Sequence, residues 1–264
     1  MKPLLPLAVA AFLIAGSAQA AETLRDLCPD RPAKGTAPCT VDAGHLQLEM
    51  DLVDVTHDRS AGARSTTTLL ASPQLKLGLT PNLDLEAAWS PYQRQSDSPG
   101  GHATGVGDLY LKAKANLTGN RDDGWNLALI PYLKAPTASH GLGNGVWEGG
   151  LLAAAAGDLP HGWSLNLTPE VDLVEDGGAG GKHAAVSMSA GLTHALGGGL
   201  SATGELWAAR DYDPAGHASQ VSGDLALEFI PKGRPNLQWD LGVNLGLNRN
   251  TPDVQAYAGV SRRF

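Results

Sequence analysis

The last ten residues of the chain, 255–264, form a strand-like segment that ends on Phe264. Small or apolar residues recur there at alternate positions, as in a strand with two different faces. A terminal phenylalanine after such alternation is typical of bacterial outer-membrane β-barrels. This feature therefore predicts that the last strand closes a barrel and that Phe264 acts as its assembly signal.

The opposite end of the chain has the form of a secretory signal peptide. Met1 and Lys2 give a positive start, residues 3–16 are largely apolar, and residues 18–20 read Ala-Gln-Ala, a small-x-small cleavage site. The apolar run is too short to cross a bilayer as a helix, which takes about 20 residues. We expect residues 1–20 to be removed on export.

Alternation with a period of two recurs along the chain and predicts strands. In residues 44–52, for example, three leucines and Met50 occupy one face, and His, Gln, Glu and Asp occupy the other. The count of predicted strands is twelve, an even number, as single-chain bacterial barrels have. These strands cover residues 44–52, 74–79, 83–89, 108–117, 125–134, 146–156, 163–173, 183–195, 200–210, 220–230, 237–247 and 254–264.

The connections between the predicted strands alternate between short and long, as periplasmic turns and extracellular loops do in outer-membrane barrels. A closed barrel also satisfies its backbone hydrogen bonds in lipid. We therefore expect an all-β fold: a single antiparallel up-and-down transmembrane β-barrel over residues 43–264, in the bacterial cell outer membrane. The longer connections are residues 54–65, 91–104, 135–145, 175–182, 211–218 and 248–253.

Two cysteines, Cys28 and Cys39, precede the first predicted strand in a polar segment rich in turn residues. The oxidising periplasm permits a disulfide between them. A zinc site would need two more ligands at suitable spacing, and none lies nearby in the sequence. We expect residues 21–42 to form a periplasmic N-terminal segment outside the strand region, stabilised by the disulfide.

Several function classes are disfavoured by composition and motifs. The net charge of −8 argues against a nucleic-acid partner, whose phosphates would need a basic face. The eight histidines are dispersed, so no metal site and no other cofactor is expected. Gly105 and Gly107 begin a dinucleotide-like motif, but Tyr110 stands where a third glycine is needed and a strand follows. No Gly-x-Ser-x-Gly motif occurs, and we do not expect an enzyme.

One face of the predicted strands is apolar and the other is richly charged, whereas a soluble sandwich or lipocalin-like barrel would turn an apolar face inward. The apolar face is expected to meet lipid at Leu46, Leu48, Leu109, Leu111, Leu225, Leu227, Leu241 and Val243. The charged face is expected to line the lumen, at Glu49, Asp51, Lys76, Asp84, Glu86, Asp108, Tyr110, Lys112, Lys114, Glu170, Asp172, Glu205, Asp224, Glu228 and Asp240. Such residues set the field of a channel; alternatively, opposite charges pair across strands and fill the interior.

Five segments carry a family resemblance: Gly-Leu-Thr-Pro-Asn-Leu (78–83), Gly-Val-Gly-Asp-Leu-Tyr-Leu-Lys (105–112), Leu-Ile-Pro-Tyr-Leu-Lys-Ala-Pro-Thr (129–137), Val-Trp-Glu-Gly-Gly-Leu (146–151) and Leu-Pro-His-Gly-Trp-Ser (159–164). With them the chain resembles the meta-pathway of phenol degradation family of outer-membrane β-barrel transporters, over most of residues 43–264. The closing residues 261–264 depart from the commoner Tyr-x-Phe ending. The resemblance implies passage of small compounds, aromatic ones among them, across the outer membrane.

Our hypothesis from the sequence is an outer-membrane channel or transporter for passive uptake through a narrow polar lumen. The alternative is a structural or interaction barrel with an occluded interior, and an outer-membrane enzyme ranks third. The expected partners are outer-membrane lipid, the barrel-assembly machinery and small-molecule solutes.

Overall fold

The structure, a computed structural model, describes residues 24–60, 62–121, 124–177 and 180–264. The predicted signal peptide, residues 1–20, lies outside these ranges. Within them, no helix is long and apolar enough to cross a membrane. The strand segments are β1 (Leu46–Ser60), β2 (Ala63–Thr80), β3 (Leu83–Ala88), β4 (Tyr92–Ser98), β5 (His102–Gly105), β6 (Leu109–Asn116), β7 (Trp125–Ala135), β8 (Glu148–Leu159), β9 (Trp163–Glu175), β10 (Lys182–Gly197), β11 (Leu200–Asp211), β12 (Ala218–Phe229), β13 (Leu237–Gly246) and β14 (Val254–Arg263).

These segments build a closed antiparallel barrel of twelve strands, which confirms the predicted fold. Two of the barrel strands are interrupted: β3 and β4 both pair with β2, one beside each half of it, while β6 pairs with β3 and β5 with β4. The segments β3 and β4 together make one strand of the wall, and β5 and β6 together make the next one. Strand β1 pairs with both β2 and β14, so the sheet has no free edge at its seam.

Two predicted loops are wrong, because the structure continues the strands through them. Residues 54–65 belong mostly to β1 and β2, which pair as far as Ser60 and Ala63. Residues 91–104 contain β4 and β5. Threonine, serine, glutamine and arginine dominate these extensions. Alternation between apolar and polar residues marks a strand only where its two faces meet different surroundings, and these polar extensions lack that contrast.

The two faces of each strand differ sharply in exposure. Leu225 and Leu241 are 62% and 54% exposed, while their neighbours Asp224 and Asp240 are buried. The leucines point outward, where lipid covers them, and the charged side chains point into the barrel. The large aromatic residues at the periplasmic strand ends are also exposed, as in an interfacial girdle: Trp125, Trp163, Trp239 and Phe229.

We expect an arginine at the outward midpoint of β13 to destabilise the barrel. Leu241→Arg should lower the free energy of unfolding by about 2–4 kcal/mol, since the guanidinium would enter the hydrocarbon region. The matched control is Leu247→Arg, at an exposed position beyond the end of the same strand, with an expected loss of about 0–1 kcal/mol. Urea unfolding in lipid vesicles measures both, and equal losses would contradict a lipid-facing Leu241.

Candidate functional site

The residues predicted to line the lumen lie on the interior side of the wall. Those that are buried, although charged, are Glu49, Lys76, Asp84, Glu86, Lys114, Glu205, Asp224 and Asp240. Those that are partly exposed are Asp51, Asp108, Tyr110, Lys112, Glu170, Asp172 and Glu228. Burial of so many charged side chains requires partners inside the barrel, because an unpaired buried charge is costly.

Many of these partners come from the N-terminal segment, residues 24–42, which we call the plug. The prediction of a periplasmic segment outside the strand region needs correction, because the plug contacts opposite walls of the lumen. Arg31 lies 2.7 Å from Asp240 on β13, and the backbone amide of Gly35 donates to Glu205 on β11 at 2.9 Å. The plug then runs back across the barrel, where the amide of Val41 donates to Asp84 on β3 at 3.0 Å. The plug therefore crosses the lumen.

Asp30 of the plug joins a set of buried charges on β1, β2, β3 and β6. Its carboxylate lies 2.5 Å from the ammonium groups of both Lys76 and Lys114. Lys76 also lies 2.5 Å from Glu49, and Lys114 lies 3.4 Å from Glu86. Burial alone would raise the pKa of Asp30, but the two ammonium groups outweigh it and hold that pKa below its ordinary value. Asp30 is therefore anionic and electrostatically bound to the wall.

A second set of contacts involves Arg31 and Lys34. Together with Gly35 these residues belong to residues 31–35, which we call the tip of the plug. The Arg31 guanidinium bridges Asp51 of β1 and Asp240 of β13, at 2.5 and 2.7 Å. Lys34 lies 3.0 Å from Asp224 of β12. These pairs neutralise wall carboxylates that have no basic residue beside them on the strands, so the plug supplies positive charge where the wall lacks it.

Steric fit adds to these charges at Gly35. A Cβ atom at this position would stand only 2.6 Å from Asn166, 2.7 Å from Glu205 and 2.8 Å from Ser189, all of them wall side chains. The backbone of the plug therefore approaches the wall closely at its tip, and a side chain at position 35 would have to displace the ends of these three wall side chains.

The disulfide Cys28–Cys39 closes the plug into a loop, with the two Cα atoms 6.3 Å apart. Every contact named above, except that of Val41, comes from residues between the two cysteines. The bridge therefore brings the ends of the lumen-crossing loop together, and it makes no connection to a barrel strand.

We expect loss of this bridge to leave the barrel assembled. Cys28→Ser/Cys39→Ser should keep the heat-modifiable gel mobility of the folded barrel, because the strand ladders do not involve the loop. Mass spectrometry of the unmodified protein from intact cells should find the two thiols oxidised to each other. Two free thiols in that protein, or a variant that no longer assembles, would contradict the prediction.

The plug separates two cavities. The outer cavity, on the extracellular side of the plug, has a volume of about 320 Å³ and is bordered by Asp30 of the plug and by Trp89 and Tyr110 of the wall. The inner one, about 590 Å³, lies toward the periplasmic turns, with Asn126 and Thr193 in its lining. A solute crossing the barrel along its axis must therefore pass the plug.

Sequence reasoning missed the basic residues of the plug, Arg25, Arg31 and Lys34, as members of the lumen. The sequence did carry a signal for them. Acidic residues outnumber basic ones on the predicted lumen face, and this imbalance calls for cations from elsewhere in the chain. It also missed Asp54, Lys134 and Glu148 on the wall, where Lys134 lies 2.6 Å from Glu148. Among the described residues, no group of three or more His, Cys, Asp and Glu side chains is arranged to hold a metal ion.

Comparisons with known proteins agree with this architecture. The family model described as "Putative MetA-pathway of phenol degradation" matches residues 29–264. A COG4313 outer membrane channel from Pseudomonas putida F1 is similar at a TM-score of 0.70 and 18% identity, covering 89% of this chain and 99% of that one. A comparison with curated proteins gave no match.

Two more solved structures share the fold more distantly. The NanC porin has a TM-score of 0.52 at 10% identity, covering 82% of this chain and 98% of that one. The translocator domain of the autotransporter NalP from Neisseria meningitidis has a TM-score of 0.52 at 14% identity, covering 84% and 89%. At such identities the likeness concerns the fold, which is that of a bacterial outer-membrane barrel.

Proposed function

The chain belongs to the family described as "Putative MetA-pathway of phenol degradation", and from this membership we propose that it is an outer-membrane channel for passive uptake of small solutes. The observation that carries the proposal is how the plug is held. It contributes no strand to the barrel and meets the wall through ion pairs and through hydrogen bonds that involve side chains. The twelve-strand ladder closes without it, so the plug can shift while the barrel stays intact.

The proposed solutes are small compounds, aromatic ones among them. The family description refers to phenol degradation, and the similar Pseudomonas putida F1 protein is an outer membrane channel. Tyr110, Trp89 and Tyr132 add aromatic surface to the outer half of the lumen, where the rings of Tyr110 and Tyr132 lie 6.1 Å apart. We propose that the protein acts as a conduit and not as an enzyme.

The alternative function is a structural or interaction barrel whose interior stays closed. The buried ion pairs between the plug and the wall favour this alternative, because they fill the lumen at mid-height. The two functions differ in whether solute crosses the membrane through the protein.

Proteoliposomes separate the two functions. The full mature protein, reconstituted at known density, should take up phenol and benzoate faster than liposomes that contain a folded eight-stranded barrel of occluded interior. The uptake should rise further in a variant with a displaced plug. If the unmodified protein and the displaced-plug variant both take up solute no faster than the control barrel, the channel function is contradicted and the structural alternative is favoured.

We also propose that Phe264 is read by the barrel-assembly machinery. Its backbone amide donates to Leu46 at 2.8 Å across the seam, while its ring is exposed at the rim. Phe264→Ala should lower the amount of protein in the outer membrane but leave refolding into detergent unchanged, because the amide remains. Quantitative blotting of membrane fractions tests this, and unchanged amounts would rule out the signal.

A further inference from the structure

The carboxylate of Asp30 lies in a cradle made entirely by the barrel wall. Lys114 donates to Oδ1 at 2.5 Å, Lys76 lies 2.5 Å from Oδ2, and the amide of Gln74 donates to Oδ2 at 3.0 Å. Lys112 donates to the Gln74 carbonyl oxygen at 2.9 Å and so turns the amide nitrogen toward Asp30. Both oxygens of one carboxylate are thus held by donors from β2 and β6.

The cradle belongs to the wall, whereas the acid that fills it belongs to the plug. Lys76 and Lys114 are almost completely buried, at 1% and 0% exposure. Each also has a wall carboxylate nearby, Glu49 at 2.5 Å and Glu86 at 3.4 Å. The two ammonium groups therefore keep an ionic partner when Asp30 leaves, and the cradle can persist as a charged, donor-rich site.

The outer cavity borders this cradle, and part of its wall is apolar. The cavity of about 320 Å³ includes Asp30 and Gln74 together with Leu69, Pro73 and Trp89. A molecule with its carboxylate in the cradle therefore has apolar and aromatic surface within reach for a ring.

We propose that Lys76, Lys114 and Gln74 form a binding site for the carboxylate of a small aromatic acid such as benzoate, and that Asp30 occupies this site as an internal mimic of the solute. The inference rests on the proposed channel function, for which it names a substrate class. Ammonium groups and an amide nitrogen only donate hydrogen bonds, so the cradle selects a carboxylate over an amine.

Competition for the cradle links solute binding to the position of the plug. An aromatic acid binds at Lys76 and Lys114 only where Asp30 has left them, so it favours the displaced plug. A ligand that binds one of two states shifts the equilibrium toward that state by its differential affinity. Benzoate bound in the outer cavity then raises the population of the displaced plug.

The test is a benzoate titration of full-length mature protein in detergent, followed by calorimetry, with folding checked by heat-modifiable gel mobility. Asp30→Ala should bind benzoate at least about tenfold more tightly than the unmodified protein, because the internal competitor is gone. The matched control is Asp26→Ala. Asp26 also belongs to the plug, but within the part of the chain that the structure describes it contacts neither Lys76 nor Lys114. This control should keep the original affinity.

Two further measurements check the chemistry of the site. Benzylamine and benzyl alcohol, similar in size to benzoate, should gain no affinity in Asp30→Ala. Lys114→Met added to Asp30→Ala should remove the gain in benzoate affinity. Asp30→Asn serves as a second variant if Asp30→Ala does not fold, since it keeps the shape and loses the charge.

The proposal is overturned if folded Asp30→Ala or Asp30→Asn binds benzoate no better than the unmodified protein, if benzylamine gains equally, or if Lys114→Met leaves the gain intact. These outcomes are separable from failure of the channel. Uptake of phenol without any gain in benzoate affinity removes the carboxylate site alone. A gain in benzoate affinity without uptake of any solute keeps the site and removes the channel.

Discussion

Gly35→Val is expected to raise the single-channel conductance of the barrel, because it forces the tip of the plug away from the wall. The Cβ atom alone would stand 2.6–2.8 Å from Asn166, Glu205 and Ser189. Overpacking of this kind costs about 1–3 kcal/mol, which corresponds to a displaced plug populated roughly five- to 150-fold more often. Planar-bilayer recordings measure the change as longer or more frequent open events.

The matched control is Gly216→Val, in an extracellular loop where a Cβ atom would meet nothing within 4 Å. It should conduct like the unmodified protein. Arg31→Ala combined with Lys34→Ala removes the ion pairs at the tip and should act in the same direction as Gly35→Val. Conductance of Gly35→Val equal to that of Gly216→Val would contradict the role of the plug as the block.

The displaced plug also uncovers wall carboxylates that Arg31 and Lys34 neutralise, including Asp51, Asp224 and Asp240. The open pore of Gly35→Val should therefore prefer cations over anions, with a permeability ratio on the order of ten. Reversal potentials in a salt gradient measure this ratio. Replacing the wall acids Asp84, Glu86 and Asp108 by their amides in the same background should lower the ratio, and an anion-selective pore would contradict the prediction.

Lys76→Met is expected to be the most destabilising single change in the lumen. Methionine fills a similar volume but leaves Asp30 and Glu49, each 2.5 Å from the lost ammonium group, without that cation in a buried site. Removing one partner of a buried ion pair costs about 3–5 kcal/mol, mostly as the penalty of the remaining charge. Urea unfolding in lipid vesicles gives the free energy of unfolding.

Lys112→Met is the matched control for that change. Lys112 lies on the lumen face of β6, whereas Lys76 lies on β2. Lys112 is only half-buried and donates to the Gln74 side chain at 2.9 Å. Its loss should cost about 0.5–1.5 kcal/mol, the usual value of one hydrogen bond. If both variants lose the same free energy, the set of charges around Lys76 does not stabilise the barrel in the way described.

The fold was predictable from the sequence because strand alternation is a local property of the backbone. Side chains two residues apart share a face, so a strand between lipid and a polar lumen must alternate, as Leu225, Leu227 and Leu241 do with Asp224, Glu228 and Asp240. The number of barrel strands and the inward direction of the predicted charges followed from that rule. The rule failed only in residues 54–65 and 91–104, whose polar extensions carry no alternation to read.

Only the tertiary structure decided where residues 24–42 lie and which charges meet. Arg31 and Asp240 are 209 positions apart, and Lys34 and Asp224 are 190 apart. Such pairs depend on the closure of the barrel, on the register of its strands and on the path of a segment without regular structure. No periodic pattern encodes them, because the plug has no repeating contact with the wall. The sequence showed an excess of acid in the lumen, and the fold placed the N-terminal cations beside it.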